Sequence, residues 1–574
     1  MRHHSGSSYP EKYHPHSEAE WIIWLADNIS SGSDRREDAE RGSLKPRPPF
    51  QLTHPLSNGS SALVSFDVAK LNEMSSAVIR GLKVASAGFD AKPEETYAKI
   101  YGFLEGSSLK RIPADTRSPF NDVSLWHHSK LTAAVAACIT EHGYHGSEPS
   151  SYGFALLSGD ADKVSSYIGE SKRIPDLNAR SERIRVATSS AGKAVADLAG
   201  PEAVIFAGGG SLLALLPEGV AESGLNESVK AFEEASEGSV TFTANLVSSS
   251  GDSLMRDFGL VWERAGVSLR LRKLNRQPVA SIMPVSSERV CDVCGRRTAT
   301  VLDEQRLLPI DAAPRYESLC DSCWKLRRSG VGVWVEDIES RSGYIAVLKA
   351  DGDGVGDLLS GRRLKAFGKT VTPGRLATLS ELLNGACEIN LGSLIRNSGG
   401  HVIFAGGDDI LALVPGGEAL KLALEVSRQF ERDMNNSATL SAGLALFPSR
   451  EPIYLALEVV SRLLREAKSV AGKGAVSYEF LGSKGGVGHS TVTWSDFESL
   501  LGIVDLLVAS RIPKSQLRRI SAASIGEPYR AEAIIKYSVG RGVLPRDHGD
   551  KLMHALMVGR LAEAFMIHSL LEVK

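Results

Sequence analysis

The chain has 574 residues, of which 43% are hydrophobic and 23% charged, with a formal net charge of −2. That length exceeds what one hydrophobic core organises, so several domains are expected. The near-neutral charge excludes a globally basic nucleic-acid binder. No apolar run is long enough to span a bilayer and no secretory leader is evident, so a soluble cytoplasmic protein with no membrane part is expected.

In chain order, a histidine-bearing start (MRHHSGSSYPEKYHPHSEAE) leads into an apolar helix, EWIIWLADNISS, and then a charged, proline-bearing connector. No carboxylate spacing supports a metal site among those histidines, and a mobile N-terminus is expected. Residues 66–150 read as mostly helical, with KLTAAVAACITEHG carrying its apolar positions at helical spacing. At residue 152 the texture changes. YGFALLSGDADKVSSYI reads as a strand that ends at Asp160 and Asp162 and enters a helix. A helical stretch over Ser181–Leu198 follows, then a hairpin, VIFAGGGSLLALLPEG, at 204–219.

After a cysteine-bearing stretch the same order returns. GYIAVLKADGDGVGDLL (343–359) is a strand ending at Asp351 and Asp353. An amphipathic segment over 373–397 places Leu376, Leu379, Leu383 and Ala386 on one face and stops at Gly399 and Gly400. The hairpin VIFAGGDDILALVPGG then occupies 402–417. Asp160 to Asp351 spans 191 residues and Val204 to Val402 spans 198. Two landmarks in one order at nearly one offset indicate an internal duplication. A helix (Glu418–Met434), a strand (439–447), a helix grouping Val459, Val460, Leu463, Leu464 and Ala467, and a strand AVSYEF complete the second unit. The last 85 residues read as helical.

The expected fold class is therefore α+β and multidomain. It has two ferredoxin-like split βαβ domains of the polymerase and cyclase palm type, a four-cysteine insertion, and helical regions at both ends. The expected boundaries are 1–149, 150–285, 286–335, 340–481 and 490–574.

The two hairpins differ at their tips. Gly210 and Ser211 stand where the second copy has Asp408 and Asp409. Gly406 and Gly407 allow a tight turn and a close backbone approach to phosphate. In a split βαβ sheet the strand ending at Asp351 lies beside this hairpin. Three crowded carboxylates repel, and a divalent cation removes that penalty. Mg²⁺ prefers one or two carboxylates plus substrate phosphates, and paired ions activate a hydroxyl and stabilise leaving pyrophosphate. Asp351, Asp408 and Asp409 are thus the expected ligands of Mg²⁺ or Mn²⁺ in nucleotidyl transfer from a nucleoside triphosphate. The plainer alternative is an acidic β-turn. Asp353 is the weaker candidate, because alternation along a strand turns one of two neighbours away. Lys468 either reaches the triphosphate or is a solvated helix-end lysine. Ser380 either hydrogen-bonds a nucleotide or lies on a polar helix face.

Cys291-Asp-Val-Cys294 and Cys320-Asp-Ser-Cys323 are separated by 25 residues. Two such turns complete a tetrahedral Zn²⁺ site with no open position, so a structural zinc that braces the junction of the two palms is expected, with a redox pair as the alternative. Cys138 and Cys387 fall in helical segments, and this cysteine usage suits a reducing compartment. The stretch GSKGGVGHST (482–491) resembles a phosphate loop but has His489 where a lysine is needed, so a flexible loop is expected there.

Taken together, FALLSGDADKV with VIFAGGGSLLALLP, the C-x-x-C pairs, and VLKADGDGVG, LSELL and VIFAGGDDILALVP resemble the large subunit of type III CRISPR effector complexes. LADNISSGSDRRED and PADTRSPFNDVSLWHHSKLTAAVAA point in particular to the type III-A branch. The resemblance covers essentially the whole chain. It implies synthesis of cyclic oligoadenylate second messengers from ATP, switched on when the guide-RNA complex binds target RNA. It also implies catalytic metals on Asp351, Asp408 and Asp409, with phosphates approached by Gly406 and Gly407. Gly208, Gly209, Gly210 and Ser211 would help hold a second ATP at the interface of the palms. Backbone subunits and small subunits are the implied partners, the latter at the C-terminal helices. Many relatives begin with a histidine–aspartate nuclease domain. Here residues 1–149 resemble only its C-terminal part, and no histidine is followed directly by aspartate. Nuclease activity is therefore doubtful and is expected to be lost or encoded on a separate polypeptide. The other readings are a GGDEF-like dinucleotide cyclase, disfavoured by Asp409-Ile410, and a catalytically silent guide-RNA scaffold.

Overall fold

The computed structural model describes residues 11, 14–34, 48–87, 91–115, 121–171, 173–275, 289–305, 315–330, 338, 343–449, 451, 453–482, 485–509 and 512–571. Residues 1–10 and 12–13, with the first two histidines, lie outside the described residues. The chain divides into two compact units. The first comprises Met1–Ser171, Ala179–Ser329 and Gly354–Asn384, and the second comprises Lys172–Asn178, Gly330–Asp353 and Gly385–Lys574.

In the first unit the N-terminal part is helical (Glu18–Asp34, Val68–Ala85, Pro93–Glu105, Leu125–His142). Sequence reading missed a hairpin of β1 (Phe50–Thr53) and β2 (Ala62–Phe66) within it. Charged groups tie this region to the segment Gly354–Asn384 of the same unit. Asp122, fully buried, accepts from Lys369 at 2.7 Å and from Arg375 at 3.0 Å, and both cations are also fully buried. Such a cluster is tolerated only because Lys369 also donates to the Pro55 carbonyl (3.0 Å) and Arg375 to the Thr370 carbonyl (2.9 Å), leaving few donors unmet. His128 lies against Asp27 (3.0 Å) and Asp34 (3.7 Å). Burial alone would lower its pKa, but hydrogen bonds to Asp27 and Asp34 carry it up to about 9.

The first palm is a four-stranded antiparallel sheet in the order β4-β5-β3-β6. Its strands are β3 (Gly153–Ala161), β4 (Val204–Gly208), β5 (Ser211–Pro217) and β6 (Phe242–Ser250). After a short helix, Val164–Ile168, its long helix runs over Ile174–Ala199, longer at the N-terminal end than the apolar pattern suggests. The cysteine-bearing segment adds a two-stranded ribbon, β7 (Val301–Gln305) with β8 (Arg315–Leu319), and the helix Asp321–Ser329.

The second unit repeats the palm and extends it. Its sheet order is β10-β11-β9-β12-β13-β14, from β9 (Tyr344–Asp353), β10 (His401–Gly406), β11 (Asp409–Pro415), β12 (Thr439–Pro448), β13 (Ala475–Gly482) and β14 (Gly485–Thr493). The central strand β9 is apolar along most of its length and buried, which is what a strand covered on both faces requires. The stretch read as a flexible phosphate-loop mimic is corrected here. Residues 485–493 form β14, paired antiparallel to β13 from Gly482↔Gly485 to Ala475↔Thr493. Its glycines misled the reading, since a glycine-rich run carries little strand signal of its own and pairing here comes from β13. Helices from Trp494 to Leu571 follow, whereas residues 490–493, read as part of the helical C-terminal region, belong to β14.

In both copies a helix after the fourth strand crosses that strand's middle, but by different means. In the second palm Gly443 lets the helix Ile453–Ser469 approach closely. An added Cβ there would lie 2.6 Å from the Val460 carbonyl oxygen and 2.7 Å from the Leu464 nitrogen. In the first palm the corresponding Asn245 reaches the helix Phe258–Asn275 by donating to the Ala265 carbonyl at 3.3 Å. Among the described residues no helix is long and apolar enough to cross a membrane.

Candidate active site and metal centre

The second hairpin turns through two residues, Gly407 and Asp408, between the paired Gly406 and Asp409. Gly407 has φ +63°, the left-handed region that glycine adopts without penalty. The Gly352 N–H donates to the Asp408 carbonyl at 3.0 Å, which fastens the turn to the end of β9. Asp409 pairs directly with Asp351 across β11 and β9, and Asp351 pairs with Ser441 across β9 and β12. Cross-strand partners share a face, so the sheet itself delivers two carboxylates side by side and the turn adds a third.

The electrostatics follow. Burial, together with the charges of Asp351 and Asp409, pushes the Asp408 carboxyl up to about 7. Lys468, from the helix Ile453–Ser469, lies 2.5 Å from Asp351 and supplies the nearest cation. Beneath the site Cys387 is buried in a π-helical turn over Gly385–Leu391. Its thiol is pushed up by burial and by the fields of Asp408, Asp409, Asp433 and Asp351. Sequence reading noted only that Cys387 lies in a helix.

Asp353 is not brought into this group. It is 2% exposed, and it accepts from Ser441 (2.8 and 2.9 Å), Thr439 (3.0 Å) and the Gly474 N–H (3.0 Å). The reason is not alternation, since residues 351 and 353 share a face; neighbouring hydroxyls and an amide consume its oxygens. Ser380 is half-buried on the helix Pro373–Asn384 of the first unit, a different unit from the carboxylates.

The first palm holds the same plan with altered groups. Its turn is Gly209–Gly210 between the paired Gly208 and Ser211, and Ser211 pairs with Asp160 as Asp409 does with Asp351. Ser211 donates to Asp160 at 2.9 Å. Asp162 accepts from Thr241 (2.8 Å) and Thr243 (2.9 Å), as Asp353 does from Thr439 and Ser441. Lys273 lies 2.5 Å from Asp160 and 3.0 Å from Asp162, in the place Lys468 takes in the second palm. Sequence reading missed Lys273, although Lys273 to Lys468 spans 195 residues, between the two offsets that revealed the duplication.

The donor set of the second palm suits a hard divalent cation: its candidate donors are carboxylate oxygens, and the raised Asp408 marks negative charge that the protein alone does not offset. With Lys468 on Asp351, the three carboxylates do not close into one shell. Among the described residues only Cys291, Cys294, Cys320 and Cys323 bring their ligand atoms within 4.8 Å of one another. Those four thiols are unbonded to each other as disulfides and largely buried, and four sulfurs so gathered suit tetrahedral Zn²⁺.

A duplicated palm with an acidic hairpin tip in one copy defines a nucleotidyltransferase-like protein. Residues 344–477 match the family model described as Cas10/Cmr2, second palm domain. The chain is 23% identical over 634 residues to the Mycobacterium tuberculosis CRISPR system single-strand-specific deoxyribonuclease Cas10/Csm1 (subtype III-A), covering 83% of this chain and 77% of that protein. It is 29% identical over 174 residues to the CRISPR system Cmr subunit Cmr2 of Pyrococcus furiosus, covering 26% of this chain and 20% of that protein. Among solved structures, Csm1 of T. onnurineus superposes with a TM-score of 0.66 at 18% identity, over 96% of this chain and 88% of that one. A Csm1–Csm4 cassette in complex with cA4 gives 0.64 at 17% identity, over 95% and 88%. Residues 344–477 thus carry a Cas10/Cmr2 palm domain, and most of the chain is similar to Cas10/Csm1 proteins of subtype III-A and shares the Csm1 fold.

Proposed function

We propose that this protein joins ATP into cyclic oligoadenylates within a type III complex whose guide RNA has bound a target RNA. The single observation that carries the reading is the carboxylate set Asp351, Asp408 and Asp409, crowded enough to hold Asp408 near 7. Structures of Csm1–Csm4 cassettes with cA4, with pppApA and with AMPPNP support the substrate class. Csm4 in those cassettes supports a backbone subunit as partner.

In this mechanism Asp351, Asp408 and Asp409 would hold Mg²⁺ or Mn²⁺, which would supply Lewis-acid stabilisation of the attacking and leaving oxygens. The backbone of Gly406 and Gly407 approaches the phosphates, since the space over Gly407 is open. Lys468 leaves Asp351 and turns its ammonium to the triphosphate. Asp353, with Ser441 and Thr439, keeps the end of β9 in place so that Asp351 stays in register with Asp409. The glycine turn Gly208–Gly210 and Ser211 take a second ATP without ligating catalytic metal. Cys291, Cys294, Cys320 and Cys323 hold structural Zn²⁺.

The test is product analysis after incubating the assembled complex with ATP, Mg²⁺ or Mn²⁺ and complementary RNA. Cyclic oligoadenylate that disappears in the double variant Asp408→Ala/Asp409→Ala is the expected outcome. Absence of cyclic product, or product that persists in that variant, removes the reading.

A further inference from the structure

The four cysteines do not stand alone in the first unit; an arginine cluster surrounds one side of them. Arg180, on the helix Ile174–Ala199 of the first palm, is 1% exposed and donates from Nη2 to Cys323 Sγ at 3.6 Å. Its Nη1 donates to the Tyr167 carbonyl and to Glu170, both at 2.7 Å, and the guanidinium carbon lies 4.7 Å from the centroid of the Tyr167 ring. Its Nε–H is buried with no acceptor among the described residues. One turn further, Arg183 donates to Ser322, the neighbour of Cys323, at 2.7 Å and pairs with Glu237 at 3.2 Å. The cysteine segment reaches back in the same way. Arg296 pairs with Glu170 at 2.8 Å, and Arg297 donates to the Glu237 carbonyl at 2.5 Å.

Charge makes the arrangement informative. Two of these guanidinium groups, Arg180 and Arg183, are largely buried; among the described residues they pair with Glu170 and Glu237, and Glu170 is shared with the more exposed Arg296. A buried guanidinium with so little compensation is costly unless another negative group faces it. Zn²⁺ held by four thiolates carries a net charge of −2, which offsets that excess. Hydrogen bonds to ligating atoms also orient ligands and tune metal affinity.

We propose that Arg180 is a zinc-positioning residue. Its N–H···S bond fixes Cys323 and shares the thiolate charge, so the first palm's own helix sets how tightly the cysteine segment holds zinc. Arg183, Arg296 and Arg297 clamp the segment to the palm without touching a sulfur that ligates.

The experiment uses the full-length chain, with zinc affinity measured by competition against a chromophoric chelator and the sulfur-to-cobalt charge-transfer band read after Co²⁺ substitution. Arg180→Met is expected to lower zinc affinity about 10-fold or more and to shift the cobalt band, with Arg180→Lys intermediate. Arg296→Met, which breaks the Glu170 link but leaves the N–H···S bond, is expected to leave the cobalt band unchanged. Circular dichroism in saturating zinc reports whether each variant is folded, and Arg180→Lys serves if Arg180→Met is not. The proposal is overturned if folded Arg180 variants bind zinc as the wild type does, if Arg296→Met shifts the band as far as Arg180→Met, or if the wild-type chain retains no zinc.

Discussion

The two hairpins, VIFAGGGSLLALLP and VIFAGGDDILALVP, share strands, pairing and a lysine at the sheet's end, and differ in what the tip is free to do. In the second palm the turn residue Asp408 is a carboxylate outside the left-handed region, while Gly407 alone has positive φ. In the first, both turn residues are left-handed, Gly209 at +59° and Gly210 at +92°. The absence of the carboxylate pair therefore goes with a different turn geometry. An added Cβ at Gly210 would lie 3.2 Å from the Ala161 Cβ and 3.3 Å from Val164. The difference between the palms is built into the backbone as well as into side-chain chemistry, so a single substitution does not turn the first hairpin tip into the second.

The comparison can be broken most directly by removing the carboxylates from one side only. Asp408→Ala/Asp409→Ala is expected to cut oligoadenylate formation by about 10³-fold or more, whereas Ser211→Ala costs about 10-fold or less, measured as product per complex. A larger loss in Ser211→Ala would reverse the roles of the palms. Next, Gly210→Asp/Ser211→Asp should fail to make a second metal site. It is expected to destabilise the chain by about 2 kcal/mol, because an aspartate is forced into a left-handed turn against Ala161, and thermal denaturation reads this loss. A gain of Mn²⁺ binding with unchanged stability would show that the backbone is no obstacle.

A smaller effect comes from Asp408 itself. Its folded-state value near 7 lies above the ordinary 3.8, so protonation favours the metal-free fold. That contribution is complete below the unfolded value and is lost as pH rises through 7. Asp408→Asn is expected to stabilise the metal-free chain by about 1 to 2 kcal/mol at pH 8 and not at all near pH 4. The gain should shrink when Mg²⁺ is added. Denaturant titrations at the two pH values check the sign. Smallest is the lysine pair. Lys468→Met removes a competitor for Asp351 and should lower the Mn²⁺ concentration needed for half-saturation about three-fold, read by electron paramagnetic resonance. Lys273→Met should leave that concentration unchanged, since Lys273 is engaged with Asp160 and Asp162.

The duplication was legible because strand, glycine turn and apolar run repeat in order, and register alone then sets Asp351 beside Asp409. The four-cysteine cluster was legible for a similar reason, as a C-x-x-C turn already holds two sulfurs together. What escaped depends on partners distant in the chain. Asp353 is sealed by residues 86, 88 and 121 positions away. Arg180 meets Cys323 across 143 positions. β14 is glycine-rich and owes its form to a neighbouring strand, and the β1–β2 hairpin is too short to stand out against the helices around it.

Gly443 gives the second palm a mechanical property that the first lacks. The helix seated over it touches strand backbone through Val460 and Leu464, and Lys468 stands one turn beyond Leu464 on that same rod. A missing methyl group thus sets the resting reach of the ammonium toward Asp351. In the first palm the Asn245 side chain instead spaces the strand from the helix that carries Lys273, through its bond to the Ala265 carbonyl. A Gly443→Ala change would therefore act at a distance, as a shim that lifts the lever and carries Lys468 away from the carboxylates.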